Sequence, residues 1–278
     1  MFRTLTDHQK AVVYAALLWS MGVGAALLIH RLGLKPGFPM FSLWMSTPAL
    51  TAFLMMLVVT RDGYSKESWK SLGVHRLGLN VWPIAFGVTL LLGAAMTSLV
   101  WATPLASFAI PKYGLLGTII DFFFVLVVFT PTFILAEEIG MRGYLLPKVL
   151  DLGRAPALLL VGLVWGLWHL PLFYLTSLFP TGNALIFVPL VLTTIVAASF
   201  LFGYFRIYTG SLWPGAVSHA VHNSLVDTLG ALTTTSSPVL VNLYLVGDNG
   251  ILIVVSTALA ALWVRHLFWG RTRRAIRG

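Results

Sequence analysis

Almost all the ionisable side chains that fall inside apolar stretches of this chain gather in three short segments. They are Ala136-Glu137-Glu138-Ile139-Gly140-Met141-Arg142-Gly143, Trp165-Gly166-Leu167-Trp168-His169-Leu170-Pro171, and Ser218-His219-Ala220-Val221-His222-Asn223. Placing such a group near the centre of a bilayer costs about 2.5–3.5 kcal/mol on insertion scales, so residues kept there face a polar cavity and have a task. Asp121 and Asp227 are the other acids in apolar runs, one isolated carboxylate apiece.

Helical spacing divides the labour within each segment. Glu138 and Arg142 are four residues apart, on one face, where they can pair. Glu137 is rotated about 100° from its neighbour and is free to point into the bundle as a general base, because a desolvated carboxylate holds its proton more tightly than one in water. His219 and Asn223 are also four apart, so an imidazole and an amide can converge on one oxygen as an oxyanion hole requires. His169 precedes Pro171 by two residues, and the proline favours a kink that makes room for water.

Plainer readings compete at each position. Glu137, Glu138 and Arg142 form a structural ion cluster in one of them, and His169, His219 and Asn223 serve as polar glue between helices. Trp165 and Trp168 read as core or interface aromatics. His222 stands three residues from His219 and either backs it up or merely neighbours it. Company is what favours chemistry over packing. A serine nucleophile has no elbow motif around Ser211 or Ser218, and an aspartyl dyad would have to join Asp121 to Asp227.

The elements that hold these residues follow from composition. With 58% hydrophobic and 10% charged residues, the 278-residue chain is too apolar for a soluble domain. The expected fold is all-α, a polytopic membrane helix bundle of about eight transmembrane helices forming a single transmembrane domain over 1–278. Apolar runs fall near 11–30, 40–60, 81–103, 118–140, 155–178, 184–205, 210–229 and 250–268. Residues 118–229 would hold the catalytic core helices. The segments 104–117 and 230–249 read as connections, the first with Pro104 and Pro111, the second rich in Thr and Ser. The first apolar run is too long, and its flank too polar, for a cleaved signal peptide. No internal repeat is visible, and the absence of cysteine removes disulfides, thiolate ligands and a cysteine nucleophile.

The net charge of +9 reports topology, not nucleic acid, because the basic residues cap apolar runs and form no aromatic-interleaved stripe. With eight spans, all 18 Lys and Arg except Arg31, Lys35 and Lys112 fall on one side. That asymmetry predicts cytoplasmic N- and C-termini in a multi-pass protein of a prokaryotic plasma membrane.

At these motifs the sequence resembles the CAAX protease and bacteriocin-processing family, also called Abi, which includes the type II CAAX prenyl endopeptidases. The resemblance rests on Glu-Glu-x-x-x-Arg at Glu137, Glu138 and Arg142, an aromatic-x-x-x-His at Trp165 and His169, and His-x-x-x-Asn at His219 and Asn223. The Gly-Tyr-Leu-Leu-Pro run after Arg142 adds to it, and coverage is roughly 130–225. Trp165 stands where the family usually has Phe.

The resemblance implies an intramembrane endopeptidase in which Glu137 and His169 activate water while His219 and Asn223 hold the oxyanion, with Glu138, Arg142 and Trp165 in support. The substrate would be a membrane-associated peptide or protein, prenylated or not, met within the lipid bilayer. A metal-free mechanism is expected; if zinc takes part, Glu137, His169 and His219 are its ligands. Two readings from other classes stand beside it: a catalytically idle membrane scaffold or immunity protein, and a proton-coupled transporter using the same buried groups as a relay.

Overall fold

The computed structural model describes residues 5–176 and 182–277, with side chains described through residue 269. Eight long helices follow one another: α1 (Asp7–Leu32), α2 (Phe38–Val59), α3 (Leu79–Trp101), α4 (Gly114–Leu152), α5 (Arg154–Leu175), α6 (Ala184–Thr209), α7 (Trp213–Ala231) and α8 (Ile251–Arg277). The fold is an all-α membrane bundle. Among the described residues the sheet is confined to β1 (Ser107–Phe108) and β2 (Thr233–Thr234), paired antiparallel with Ser107 opposite Thr234.

Seven of these helices are long and apolar enough to cross a bilayer on composition alone, and α7 is not among them. The expected eighth span is present as a helix, but His219, His222, Asn223 and Asp227 lower its hydropathy. It is sheltered by packing against α3, α4 and α6, and Pro214 through His222 are all buried. Its neighbours supply the apolar surface that its own sequence lacks.

The fourth helix departs most from expectation, running to Leu152 instead of ending near 140. Arg142 does not terminate it, because the guanidinium is neutralised inside the bundle. Two π-helical segments, Thr130–Ile134 and Ile139–Leu145, flank the single α-turn Leu135–Glu138. Such wide turns are rare and recur at functional sites. In α5, by contrast, the helical run is unbroken through Pro171. The expected connections 104–117 and 230–249 hold the strand pair and a π-helical turn, Val239–Leu245.

Close packing fixes α4 against α1 and α2. A Cβ at Gly140 would lie 2.4 Å from the Tyr14 hydroxyl and 2.5 Å from Pro48 Cβ, so only glycine permits this approach. Trp44 stacks on Trp168 at 4.6 Å, and the Trp168 indole N–H donates to Thr47 Oγ1 at 3.1 Å, tying α2 to α5.

The ends of the bundle are chemically distinct. At one end Lys148 pairs with Asp7 (3.1 Å), Lys10 with Asp62 (3.2 Å) and His8 with Asp151 (2.9 Å), while Arg154 lies 5.6 Å from the Trp269 ring. The beginning of α1 and the C-terminal part of α8 therefore share this end, as an even number of crossings requires. The strand pair marks the opposite end, where Trp101 donates to Thr233 Oγ1 at 3.0 Å.

Gly140→Ala should lower stability in detergent by about 1–3 kcal/mol through overpacking. Gly87→Ala, where an added Cβ meets nothing within 4 Å, should be neutral or slightly stabilising; thermal unfolding of the two variants beside the parent checks both.

Candidate active site

The carboxylate of Glu138 is the hub. Its Oε1 accepts from Arg142 Nη1 at 3.0 Å, and His219 Nδ1 lies 3.1 Å from the same oxygen. Glu138 and Arg142 are 0% exposed, so each ion stands in for the other's lost water. An ionised Glu138 can only accept, so His219 Nδ1 is the donor of that bond and its Nε2 is turned to other work. The Arg142 guanidinium lies 4.1 Å from the Trp165 ring centroid and 5.3 Å from that of Phe202, a cation–π cover for donors that have no hydrogen-bond acceptor. Phe202 in turn stacks on His219 at 5.0 Å, fixing the imidazole plane.

Glu137 is buried beside this hub but makes different contacts. Its Oε2 accepts from the Trp165 indole N–H at 2.9 Å, leaving Oε1 for another partner. Trp165 is thus more than a core aromatic. Its carbonyl also accepts from His169 Nδ1 at 2.9 Å, which sets the tautomer: the N–H is on Nδ1 and the Nε2 lone pair is free.

Glu137, Trp165, His169, His219 and Asn223 all line one cavity of about 270 Å³, to which α2, α4, α5, α6 and α7 contribute. The Asn223 amide makes no hydrogen bond to the described residues and is available to a ligand. From this cluster the cavity extends to Asp227, Asp248 and Asn249, which lie at the end of α7 and just before α8, away from the beginning of α1 and the C-terminal part of α8. Part of its wall is apolar, with Phe41, Trp44, Leu172 and Phe173.

Sequence reasoning missed Asp248, which lies near the end of the Thr/Ser-rich connection. It pairs with His222, Nε2 to Oδ1 3.1 Å, and so answers what orients that histidine. Desolvation pushes the Asp248 carboxyl up, but the His222 hydrogen bond and the neighbouring imidazoles outweigh it and hold it below the usual carboxylate range. Of the two other acids in apolar runs, Asp227 lines the cavity and Asp121 is exposed on α4; neither is hydrogen-bonded to a histidine among the described residues. The one signal for Asp248 was its place in Gly247-Asp248-Asn249-Gly250, a turn composition that reads equally well as plain loop.

A zinc ion bound here would take Glu137, His169 and His219 as ligands. The donor types suit it, but among the described residues no three His, Asp or Glu side chains are grouped to hold an ion.

Residues 117–225 match the Rce1-like family model, type II CAAX prenyl endopeptidase. The matched segment runs from α4 into α7 and contains Glu137, Glu138, Arg142, Trp165, His169, His219 and Asn223, whereas Asp227 and Asp248 lie beyond it. The Rce1-like match and the seven apolar helices mark an integral membrane protein. No curated protein matches the chain.

Arg142→Ala should destabilise the protein by about 3–5 kcal/mol, because it strands the Glu138 charge in the bundle. Adding Glu138→Gln to that variant should recover part of the loss, measured by unfolding in the same detergent.

Proposed function

We propose that the protein is an intramembrane endopeptidase that hydrolyses a peptide bond with water activated by Glu137 and His169. One observation carries this: a carboxylate, two imidazoles and an unbonded amide from three helices face a single cavity, and both imidazoles are held by their Nδ1 atoms. Water hydrogen-bonded between Glu137 Oε1 and His169 Nε2 gives a proton to the carboxylate as its oxygen attacks the scissile carbonyl. Asn223 Nδ2 donates to the developing oxyanion, and His219, oriented by Glu138 at Nδ1, donates from Nε2 when an added proton makes it imidazolium, with Glu138 as its counter-charge. As the C–N bond breaks, the proton on Glu137 passes to the leaving amine. No covalent intermediate and no metal are required.

The Lys- and Arg-rich end faces the cytoplasm on the positive-inside rule, which places Asp227 and Asp248 toward the opposite side of a prokaryotic plasma membrane. The substrate is a membrane-associated peptide or protein, prenylated or not, and the apolar cavity wall suits a segment delivered from the bilayer.

Purified protein in detergent should cleave peptides from a panel of prenylated and leader-type substrates, with and without chelator alike. Glu137→Gln and His169→Ala should each lose at least about 100-fold in kcat, and His219→Ala a comparable factor. Cleavage by Glu137→Gln at the parental rate would overturn the mechanism, and loss of activity on chelation would return a metal to it. Because the chain has no cysteine, single-cysteine variants test its orientation. A membrane-impermeant maleimide added to intact cells should label Thr234→Cys and spare Lys66→Cys.

A further inference from the structure

The charges around the cavity run against those of the whole chain. Of nine acidic residues, Glu137, Asp227 and Asp248 line it, whereas among the described residues no Lys or Arg does. In a protein of net charge +9 this is a marked local reversal. Asp227 lies one helical turn beyond Asn223 and has no hydrogen-bond or ion-pair partner among the described residues. Asp248 is held by His222, yet its side chain is 61% exposed, so it keeps a face toward the mouth. The turn that presents it is tight: a Cβ on Gly247 would fall 1.8 Å from the Asn242 carbonyl oxygen, so this carboxylate is placed by a built loop. Two carboxylates in a low-dielectric cavity that no Lys or Arg lines among the described residues focus a negative potential there.

An independent feature points to a ligand in the same space. Thr194, on α6, lines the cavity, is 3% exposed, and its Oγ1 has no partner. A threonine within a helix ordinarily bonds the carbonyl four residues back, as Thr193 does to Pro189 at 2.7 Å. A buried hydroxyl left unbonded forfeits that interaction unless something entering the cavity restores it.

We propose that the cavity selects a peptide bearing a lysine or arginine near the scissile bond, its cation seated against Asp227 and Asp248 and a backbone group bonded to Thr194. The inference rests on the proteolytic reading and names its substrate class. One helical turn from Asn223 to Asp227 is about 6 Å, and an extended peptide advances about 3.3 Å per residue. The cationic residue therefore lies about two positions from the cleaved bond.

The test is a set of matched peptides carrying Lys, Gln or Glu two positions from the cleavage site on either side. The parent should favour the Lys peptide over the Glu peptide by at least 10-fold in kcat/KM, chiefly through KM, with the preference shrinking as salt rises. Asp227→Asn and Asp248→Asn should each reduce that ratio, and Thr194→Val should raise KM for all peptides alike. Fluorescence anisotropy with labelled peptides and the Glu137→Gln variant reads the same preference without turnover. If Lys peptides bind preferentially but nothing is cut, the proteolytic reading fails and the charge preference stands. If binding or cleavage ignores peptide charge, or the preference survives both Asp variants, the inference is overturned.

Discussion

One buried carboxylate organises the site. Glu138 accepts from Arg142 within its own helix and from His219 on another, so the ion pair that makes its burial tolerable also joins α4 to α7. Taking either ion out of water alone would cost several kcal/mol, and the aromatic rings of Trp165 and Phe202 close over what remains. The polar cluster is therefore a packing element as well as a chemical one. Its presence explains how α7, too polar to count as a span on composition, can occupy the interior of the bundle.

From that hub the roles of two adjacent glutamates separate. Glu138 is spent on structure, while Glu137, a fraction of a turn away, receives one indole hydrogen bond and faces the cavity. The π-helical segments on either side of Leu135–Glu138 let this short α-turn carry both side chains inward without ending the helix. Trp165 links the halves of the site: its N–H holds Glu137, its carbonyl fixes the His169 tautomer, and its ring carries the Arg142 charge. A phenylalanine there would retain the ring face and the carbonyl but not the indole donor.

The site was legible wherever its partners stand one helical turn apart. The Glu138–Arg142 pair and the shared face of His219 and Asn223 follow from i, i+4 spacing, and the spans other than α7 follow from hydropathy, since both are local properties of the chain. Asp248 was invisible because its partner His222 is 26 residues away and the turn between Gly247 and Gly250 carries no periodic signal. Thr194 was hidden by composition: an apolar helix with a threonine looks ordinary until its hydroxyl is seen to lack the usual backbone bond. The length of α4 was misjudged because the apolar run stops near 140 and an arginine ordinarily marks a membrane boundary, whereas burial of the Glu138–Arg142 pair lets the helix continue to Leu152.

The most direct measurement is a double-mutant cycle between Glu138 and His219, reading unfolding free energy for Glu138→Gln, His219→Gln and the pair. If one shared carboxylate joins α4 to α7, the two changes should couple by about 1–3 kcal/mol. Additivity within about 0.5 kcal/mol would mean that the two helices meet without that bond, and the organisation of the site described here would be wrong.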